Sequence, residues 1–302
     1  SGGTFTDCVV VDSQGRMAVY KAPSTPNDFS QGVLDSIGLA ATGLGIPTEQ
    51  LLSETRVFAH GTTVTTNALL TRNGVKTGLI TTKGFEDTIL IGRVHQKVAG
   101  LSEREIIHAV KLDKADPIIP RPFIKGVTER VDYQGRVLVP LDLEETERAV
   151  RELIEEGVEA IAICFLWSFM NPVHEGQVRD LVQRKYSRVF VTASSDLAPR
   201  MGEYERTATA ALNCYLGPVA YRYLHSLASK LRDKGLSCPL LVMQSSGGVL
   251  PAEEVREKAV NTLASGPVGG ITGALFLGKA LGYDNIICTD VGGTSFDVGL
   301  IV

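Results

Sequence analysis

The sequence predicts an α/β protein of two lobes, and three observations predict it. A Gly-Gly-Thr loop leading into an apolar run occurs near each end of the chain, at Gly2-Gly3-Thr4 and at Gly292-Gly293-Thr294. Between them, apolar runs of strand length alternate with stretches of helical periodicity, the order that builds parallel sheets. The chain has 302 residues, 44% of them apolar and 21% charged, enough for two domains with sizeable cores.

Taken in order, the first loop feeds Cys8-Val9-Val10-Val11, and Asp12 with Gly15 turns the chain into the strand Met17-Ala18-Val19-Tyr20. Val33, Leu34, Ile37 and Ala40-Ala41 recur at helical spacing, and Gly43 and Gly45 stop that helix before Pro47. Arg56 to His60 reads as a short buried strand, after which Gly61 opens a threonine-rich loop. Asn67-Ala68-Leu69-Leu70 starts a helix that stops at Asn73-Gly74, and Lys76 to Thr82 is the next strand. Arg93 to Pro122 is polar and reads as a partly irregular excursion. Gly126 to Val131 and Arg136 to Pro140 flank Asp132 to Gly135 as a hairpin. Asp142, with Glu145 three residues on, marks a helix start. That helix feeds the strand Ala160 to Leu166. A helix from Pro172 to Tyr186 and a strand from Val189 to Thr192 repeat the unit, as in a parallel sheet.

The lobe boundary is expected within Ser194 to Pro199, dividing the chain into residues 1–195 and 196–302. A long helical stretch then reaches Lys234, with a break expected at Gly217-Pro218, because proline lacks an N–H and crowds the preceding turn. Pro239 to Met243 is a strand ending in the polar loop Gln244-Ser245-Ser246-Gly247-Gly248. Ala259 to Leu281 reads as a helix of small residues, with Gly266, Gly269, Gly270 and Gly273 allowing close approach. Two apolar strands then flank the last loop.

The two loops align without a gap, Gly2 to Asp7 against Gly292 to Asp297, and four of the six positions agree. A glycine loop bares backbone N–H groups, because no Cβ keeps an anion away. On this reading Gly2, Gly3, Thr4 and Thr6 hold phosphate while Asp7 orders the waters of a magnesium ion. Gly292, Gly293, Thr294 and Ser295 hold phosphate in the second copy. Asp290, at a strand end beside the glycines, is the cation-side and catalytic candidate, since Mg2+ keeps its waters and takes one or two carboxylates. Asp297 is read as a turn anchor. The counterpart of Asp290 would precede Ser1, so the chain is expected to begin inside a motif. The other reading of each loop is a plain turn.

His60 to Asn67 is the candidate for substrate contact or for the γ-phosphate side. Thr62, Thr63, Thr65 and Thr66 bring hydroxyls to a strand-to-helix junction, where free helix N–H groups favour anions. Gly61, Thr62, Thr66 and Asn67 are assigned to substrate, Thr63 and His60 to catalysis. Helix capping by the same threonines is the other reading. His60 either relays a proton or is a satisfied core residue. Gln244 to Gly248 either faces the cleft or is a connecting turn. Glu205-Arg206 is either an interlobe ion pair or a ligand contact, and Tyr204, Tyr215, Tyr221 and Tyr223 read as packing.

Two such loops far apart in one chain resemble the actin, sugar-kinase and heat-shock ATPase superfamily, whose lobes are ribonuclease H-like. Within it, Gly2 to Asp7, His60 to Leu70 and Asp290 to Thr294 are similar to the ATP-dependent hydantoinase A/5-oxoprolinase family. Gly84-Phe85-Glu86-Asp87, Glu129-Arg130-Val131-Asp132, Asn171-Pro172-Val173-His174-Glu175, Glu203 to Thr207 and Ser265-Gly266-Pro267 match it as well. The resemblance implies an actin-like ATPase fold, with the segment before the second loop as an interlobe helix. It also implies ATP and Mg2+ as cofactors and a separately encoded, hydantoinase B-like partner subunit. The implied activity is hydrolysis of a small cyclic amide, of hydantoin or 5-oxoproline type, after phosphorylation of a carbonyl oxygen. The alternatives are a subunit of an ATP-dependent ketone carboxylase and, in another class, a non-enzymatic ATP-driven switch. The His60 to Leu70 block belongs to the hydantoinase side and argues against the switch. Family members continue beyond the second loop, so the second lobe is expected to be incomplete and these 302 residues alone to bind ATP weakly and turn it over negligibly.

Composition narrows the partners. A formal net charge of −4 and no basic run argue against nucleic acid. No apolar stretch approaches a membrane span. Five cysteines without C-x-x-C spacing read as free thiols of a reducing cytoplasm. Five histidines without paired spacing predict no structural zinc. The chain lacks the Gly-x-Ser-x-Gly elbow of a serine hydrolase.

Overall fold

A computed structural model of the chain describes residues 1–25, 28–108, 110, 112, 114, 116–291 and 296–302. Two compact units emerge, Ser1–Gly74 together with Leu216–Val302, and Val75–Tyr215. The second is inserted into the first, and the expected 195/196 division falls within it.

The first unit begins with an antiparallel pair, β1 (Phe5–Val11) and β2 (Met17–Pro23). Their turn is the expected one: Asp12 accepts the amides of Gln14 and Arg16 at 2.8 and 2.9 Å, and Gly15 takes φ +79°. Helix α1 (Phe29–Leu44) starts at Asp28, whose carboxylate accepts from the Ser30 amide, and ends at Gly45, left-handed at φ +73°. Its apolar stripe of Val33, Ile37, Ala40 and Ala41 is buried, and the helix packs on the β1–β2 pair. After α2 (Thr48–Ser53) come β3 (Phe58–His60) and α3 (Val64–Leu70).

The second unit is an α/β layer of its own. It contains β4 (Thr77–Thr82), α4 (Thr88–Ile91), α5 (Glu103–Ile106), β5 (Ile124–Val127), β6 (Arg130–Val131) and β7 (Val137–Val139). These are followed by α6 (Leu143–Glu155), β8 (Ala160–Cys164), α7 (Val173–Lys185), β9 (Phe190–Ala193) and α8 (Ser194–Leu197). A four-stranded parallel sheet runs in the order β5-β4-β8-β9. Every residue of β4 and β8 is buried, which is why both read as unbroken apolar or small-residue runs. Asp142 caps α6 by accepting the Glu145 amide at 2.9 Å, while the Glu145 carboxylate turns to the Thr128 amide and Lys83. The expected hairpin is shorter than its sequence: Gly126 and Val127 belong to the parallel sheet, and only β6 and β7 pair across Asp132–Gly135.

Buried polar side chains close the carboxyl edge of that sheet. Glu129 accepts the Thr82 hydroxyl and pairs with His174 Nδ1 at 2.8 Å. Glu175 accepts the Phe165 amide, the Ser194 hydroxyl and the Ser195 amide, each at 2.8 Å. The Glu129, His174 and Glu175 stretches thus carry the architecture of this unit. Glu205-Arg206 differs from expectation in the same sense. Glu205 pairs with Arg93 at 2.7 Å, both within the second unit, and the fully buried Arg206 donates to the Phe165 carbonyl at 2.6 Å.

Helix α9 (Glu203–Asp233) runs through Pro218 without the expected break. Cys214, Leu216, Ala220 and Leu224 around it are buried, and tertiary packing outweighs one lost backbone bond. The first unit resumes with β10 (Leu240–Met243), β11 (Val249–Pro251), α10 (Ser265–Leu281), β12 (Ile286–Val291) and β13 (Phe296–Ile301). β10 lies between β11, antiparallel, and β3, parallel. β12 and β13 pair antiparallel and pack on α10. The expected helix from Ala259 is two pieces, a tight turn at Ala259–Thr262 and then α10, parted where Ala264 takes φ +55°. These α/β lobes are of the actin-like ATPase class. Among the described residues no helix is long and apolar enough to cross a membrane, and no group of three or more His, Cys, Asp or Glu could hold a metal.

Candidate functional site

The Gly-Gly-Thr segment at the start of the chain is held by a hydroxyl clasp. Ser24 donates its amide to the Thr4 carbonyl at 2.9 Å and its hydroxyl to the Gly2 carbonyl at 2.7 Å. Thr6 Oγ1 sits 3.0 Å from both the Ser1 and the Ser24 hydroxyls. Thr6 is therefore buried and engaged from beneath, while Gly3 and Thr4 are exposed and Gly2 half-buried. Asp7 is exposed and paired with Lys21 at 3.1 Å.

The threonine loop is adjacent, although about sixty residues separate the two in sequence. The Ser1 nitrogen donates to the Gly61 carbonyl at 2.6 Å, and the Thr63 amide donates to the Ser1 carbonyl at 3.2 Å. Strand β3, paired with β10, delivers His60 to this junction, and α3 leaves it. Each threonine hydroxyl has a distinct partner. Thr62 accepts the Val64 amide at 3.2 Å, Thr63 accepts Asn67 Nδ2 at 3.1 Å, and Thr65 shares a proton with Thr262 at 2.9 Å. Thr66 accepts the Ala264 amide at 3.1 Å. Thr62 and Thr65 are buried, whereas Thr63 and Thr66 are half-buried acceptors that keep their own O–H for another partner.

The start of α10 completes the group. Ser265 donates its hydroxyl to the Thr62 carbonyl at 3.4 Å, and a Cβ on Gly266 would lie 3.8 Å from Thr63 Cγ2. Two amides of the first turn, those of Ser265 and Gly266, have no acceptor among the described residues. Gln244–Gly248 is a closed turn: Gln244 and Gly247 bond within it, Gly247 takes φ +84°, and the Ser245 amide donates to Asn261 at 2.6 Å. The connecting-turn reading fits it.

His60 is buried and neutral, burial lowering its pKa to about 3. Its Nε2 lies 2.7 Å from the Tyr223 hydroxyl on α9, whose pKa burial pushes up. A base that weak fits the satisfied-core reading better than the relay. Sequence reasoning missed Tyr223, Ser24 and Thr262, because their partners lie far off in the chain. Only Ser265-Gly266-Pro267 had signalled its segment, through the family resemblance.

Asp290 is exposed at the end of β12 and stands opposite Asp297 of β13 in the strand register. Gly292, Gly293, Thr294 and Ser295 lie outside the described residues. The structure thus joins the Ser1–Thr6 segment, Gly61–Asn67 and the start of α10, and it sets Asp290 on a separate strand pair. A cavity of about 410 Å³ opens elsewhere in this unit, lined by Arg232, Cys238, Pro251 and Glu253 among others. None of the predicted residues lines it, so converging donors mark the site better than concavity does.

Comparison with known proteins bears on the whole chain. Residues 1–186 match the hydantoinase/oxoprolinase N-terminal region and residues 206–302 match hydantoinase/oxoprolinase. The acetophenone carboxylase gamma subunit of Aromatoleum aromaticum is 40% identical over 100% of this chain and 41% of its own length. A nucleotide-free structure of acetone carboxylase, described under the mechanism of ATP-dependent acetone carboxylation, superposes with a TM-score of 0.90. It is 35% identical over 99% of this chain and 42% of its own. The ATP-dependent caprolactamase of Pseudomonas jessenii gives 0.87 at 35% identity, over 99% and 43%. The chain therefore spans about two fifths of the length of these relatives.

Proposed function

The chain belongs to the hydantoinase/oxoprolinase family, and from that premise we propose that the whole protein uses ATP to phosphorylate a carbonyl oxygen of a small substrate. The observation that carries the proposal is that Thr63 and Thr66, each with a hydroxyl proton to spare, lie against the start of α10, whose Ser265 and Gly266 amides have no acceptor among the described residues. All four are donors, and the last two open a helix of 17 residues, where the dipole favours an anion. Phosphoryl transfer needs mostly positioning and charge neutralisation, and such donors supply both. Gly2, Gly3 and Thr4 extend the phosphate-facing edge, with Thr6 and Ser24 holding it from behind. Gly61, Thr62 and Asn67 set the floor: Asn67 orients Thr63, and Thr62 fixes the first turn of α3.

A magnesium ion fits the second strand pair. Asp290 is exposed and stands opposite Asp297, which brings two carboxylates to one face of the strand pair. Magnesium held there, through water and one or two carboxylates, would neutralise phosphate charge. Asp290 is the residue assigned to it.

The reaction proposed is ring opening of a small cyclic amide of hydantoin, oxoproline or lactam type, completed with a hydantoinase B-like partner subunit. The compartment proposed is the cytoplasm, in keeping with five free thiols. A second reading, carboxylation of an activated ketone, is favoured by the 40% identity to a subunit of acetophenone carboxylase. ADP release by the full-length chain with its partner subunit separates them. Release stimulated by lactams or hydantoins without bicarbonate is the expected result. Ketone-stimulated release with product only in bicarbonate would establish the second reading, and no stimulation by either would point to a switch instead.

A further inference from the structure

We propose that Tyr223 is a positioning residue of this donor site: its hydroxyl holds the His60 ring, and through it the Gly61–Thr63 backbone, in one place. The inference rests on reading Gly61–Asn67 as the phosphate side. Tyr223 stands on α9, next in sequence to the buried Leu224 and one turn before the buried Leu227. Its ring meets the edge of Phe29 at 6.4 Å and 86° and tilts against His60 at 5.8 Å and 47°. These contacts hold the ring, and its hydroxyl lies 2.7 Å from His60 Nε2. The phenol thus meets the site at the end of β3, directly before the threonine loop.

A phenol O–H is the stronger donor and a neutral imidazole nitrogen the stronger acceptor, so the proposed arrangement has Tyr223 donating a hydrogen bond to Nε2 with the ring proton on Nδ1. His60 is followed directly by Gly61, whose carbonyl accepts from Ser1, and by Thr63, whose amide donates to Ser1. Without the phenol, His60 loses the partner that fixes its ring, and glycine at 61 offers no side chain to hold the backbone instead.

The test uses the full-length chain with its partner subunit and the variant Tyr223→Phe, which keeps the ring and removes only the hydroxyl. Hydrogen exchange is expected to quicken roughly tenfold in peptides covering Phe58–Thr66 and to stay unchanged in peptides covering β10. Turnover of ATP is expected to fall roughly tenfold in kcat with KM for ATP within about twofold. In a His60→Gln background, Tyr223→Phe is expected to add nothing, because the two act as one unit. Unchanged exchange at Phe58–Thr66 would overturn the proposal, and so would an increase spread evenly over β10 and the rest of the unit. A wild-type complex that turns over no ATP would sink the phosphate reading, while the exchange result would still decide the role of Tyr223.

Discussion

Asp7 faces Lys21 across β1 and β2, with the ammonium 3.1 Å from the carboxylate; Asp297, the matching residue of the second Gly-Gly-Thr copy, faces Asp290 across β12 and β13. Both strand pairs pack against a helix whose late glycine admits a side chain from the strands: Gly43 of α1 admits Tyr20, and Gly278 of α10 admits Ile286. The scaffold is thus repeated and the electrostatics are not. In one copy the acid stands opposite a lysine, and in the other it stands opposite a second acid. On the proposed function, that difference is what places the cation at Asp290 and not at Asp7.

The largest effect should come from that difference. In the full-length protein, Asp290→Asn is expected to lower ATP turnover roughly 100-fold, about 2.7 kcal/mol, and to weaken its dependence on magnesium. Asp7→Asn, whose charge Lys21 already answers, should change turnover less than about threefold. Steady-state kinetics at graded magnesium checks both. Equal losses in the two variants would erase the distinction between the copies.

How much of this was legible in the sequence depended on the range of the interaction. The Asp12–Gly15 turn, the Asp142 cap and the buried strand Ala160–Cys164 are local, and each followed from pattern and turn chemistry. The inserted second unit was not legible, because Gly74 and Leu216 meet in one unit only through packing that no local signal announces. Pro218 misled for the same reason, its local cost being outweighed by buried neighbours on either side. At the candidate site the threonines were recognisable by type, but which of them keep a free O–H was decided by Thr262, Ala264 and Asn67. The pairing of Thr6 with Ser24, and of His60 with Tyr223, joins residues far apart in the chain and had no local signal.

The next effect is on stability and separates the two helix glycines. A Cβ at Gly43 would come within 2.4–2.8 Å of two ring carbons and the hydroxyl oxygen of Tyr20, a rigid phenol. Overpacking of this kind costs roughly 1–3 kcal/mol, so Gly43→Ala should lower the melting temperature by several degrees. At Gly278 the clash, 2.1 Å, is with Cδ1 at the far end of Ile286. That atom can swing aside, and alanine gains up to about 1 kcal/mol of helix propensity over glycine. Gly278→Ala should therefore be near neutral by thermal melting, and a loss as large as that of Gly43→Ala would show that β12 is clamped as firmly as β2.

The smallest effect tests the counter-charge itself. Lys21 and Asp7 are both more than half exposed, so water screens their attraction and such pairs contribute about 0.2–1 kcal/mol. Lys21 Nζ also lies 5.0 Å from the Phe5 ring centroid, a contact worth roughly 0.5–1 kcal/mol at an exposed site. Lys21→Ala removes both and Asp7→Asn only the first, so the lysine variant should be the less stable of the two by denaturant titration. Salt should shrink the loss in Asp7→Asn, since exposed charges are screened over about 10 Å at 0.1 M. If Asp7→Asn proves the costlier change and its cost persists in salt, the first copy is held by something other than its lysine, and Asp7 regains a claim to the cation.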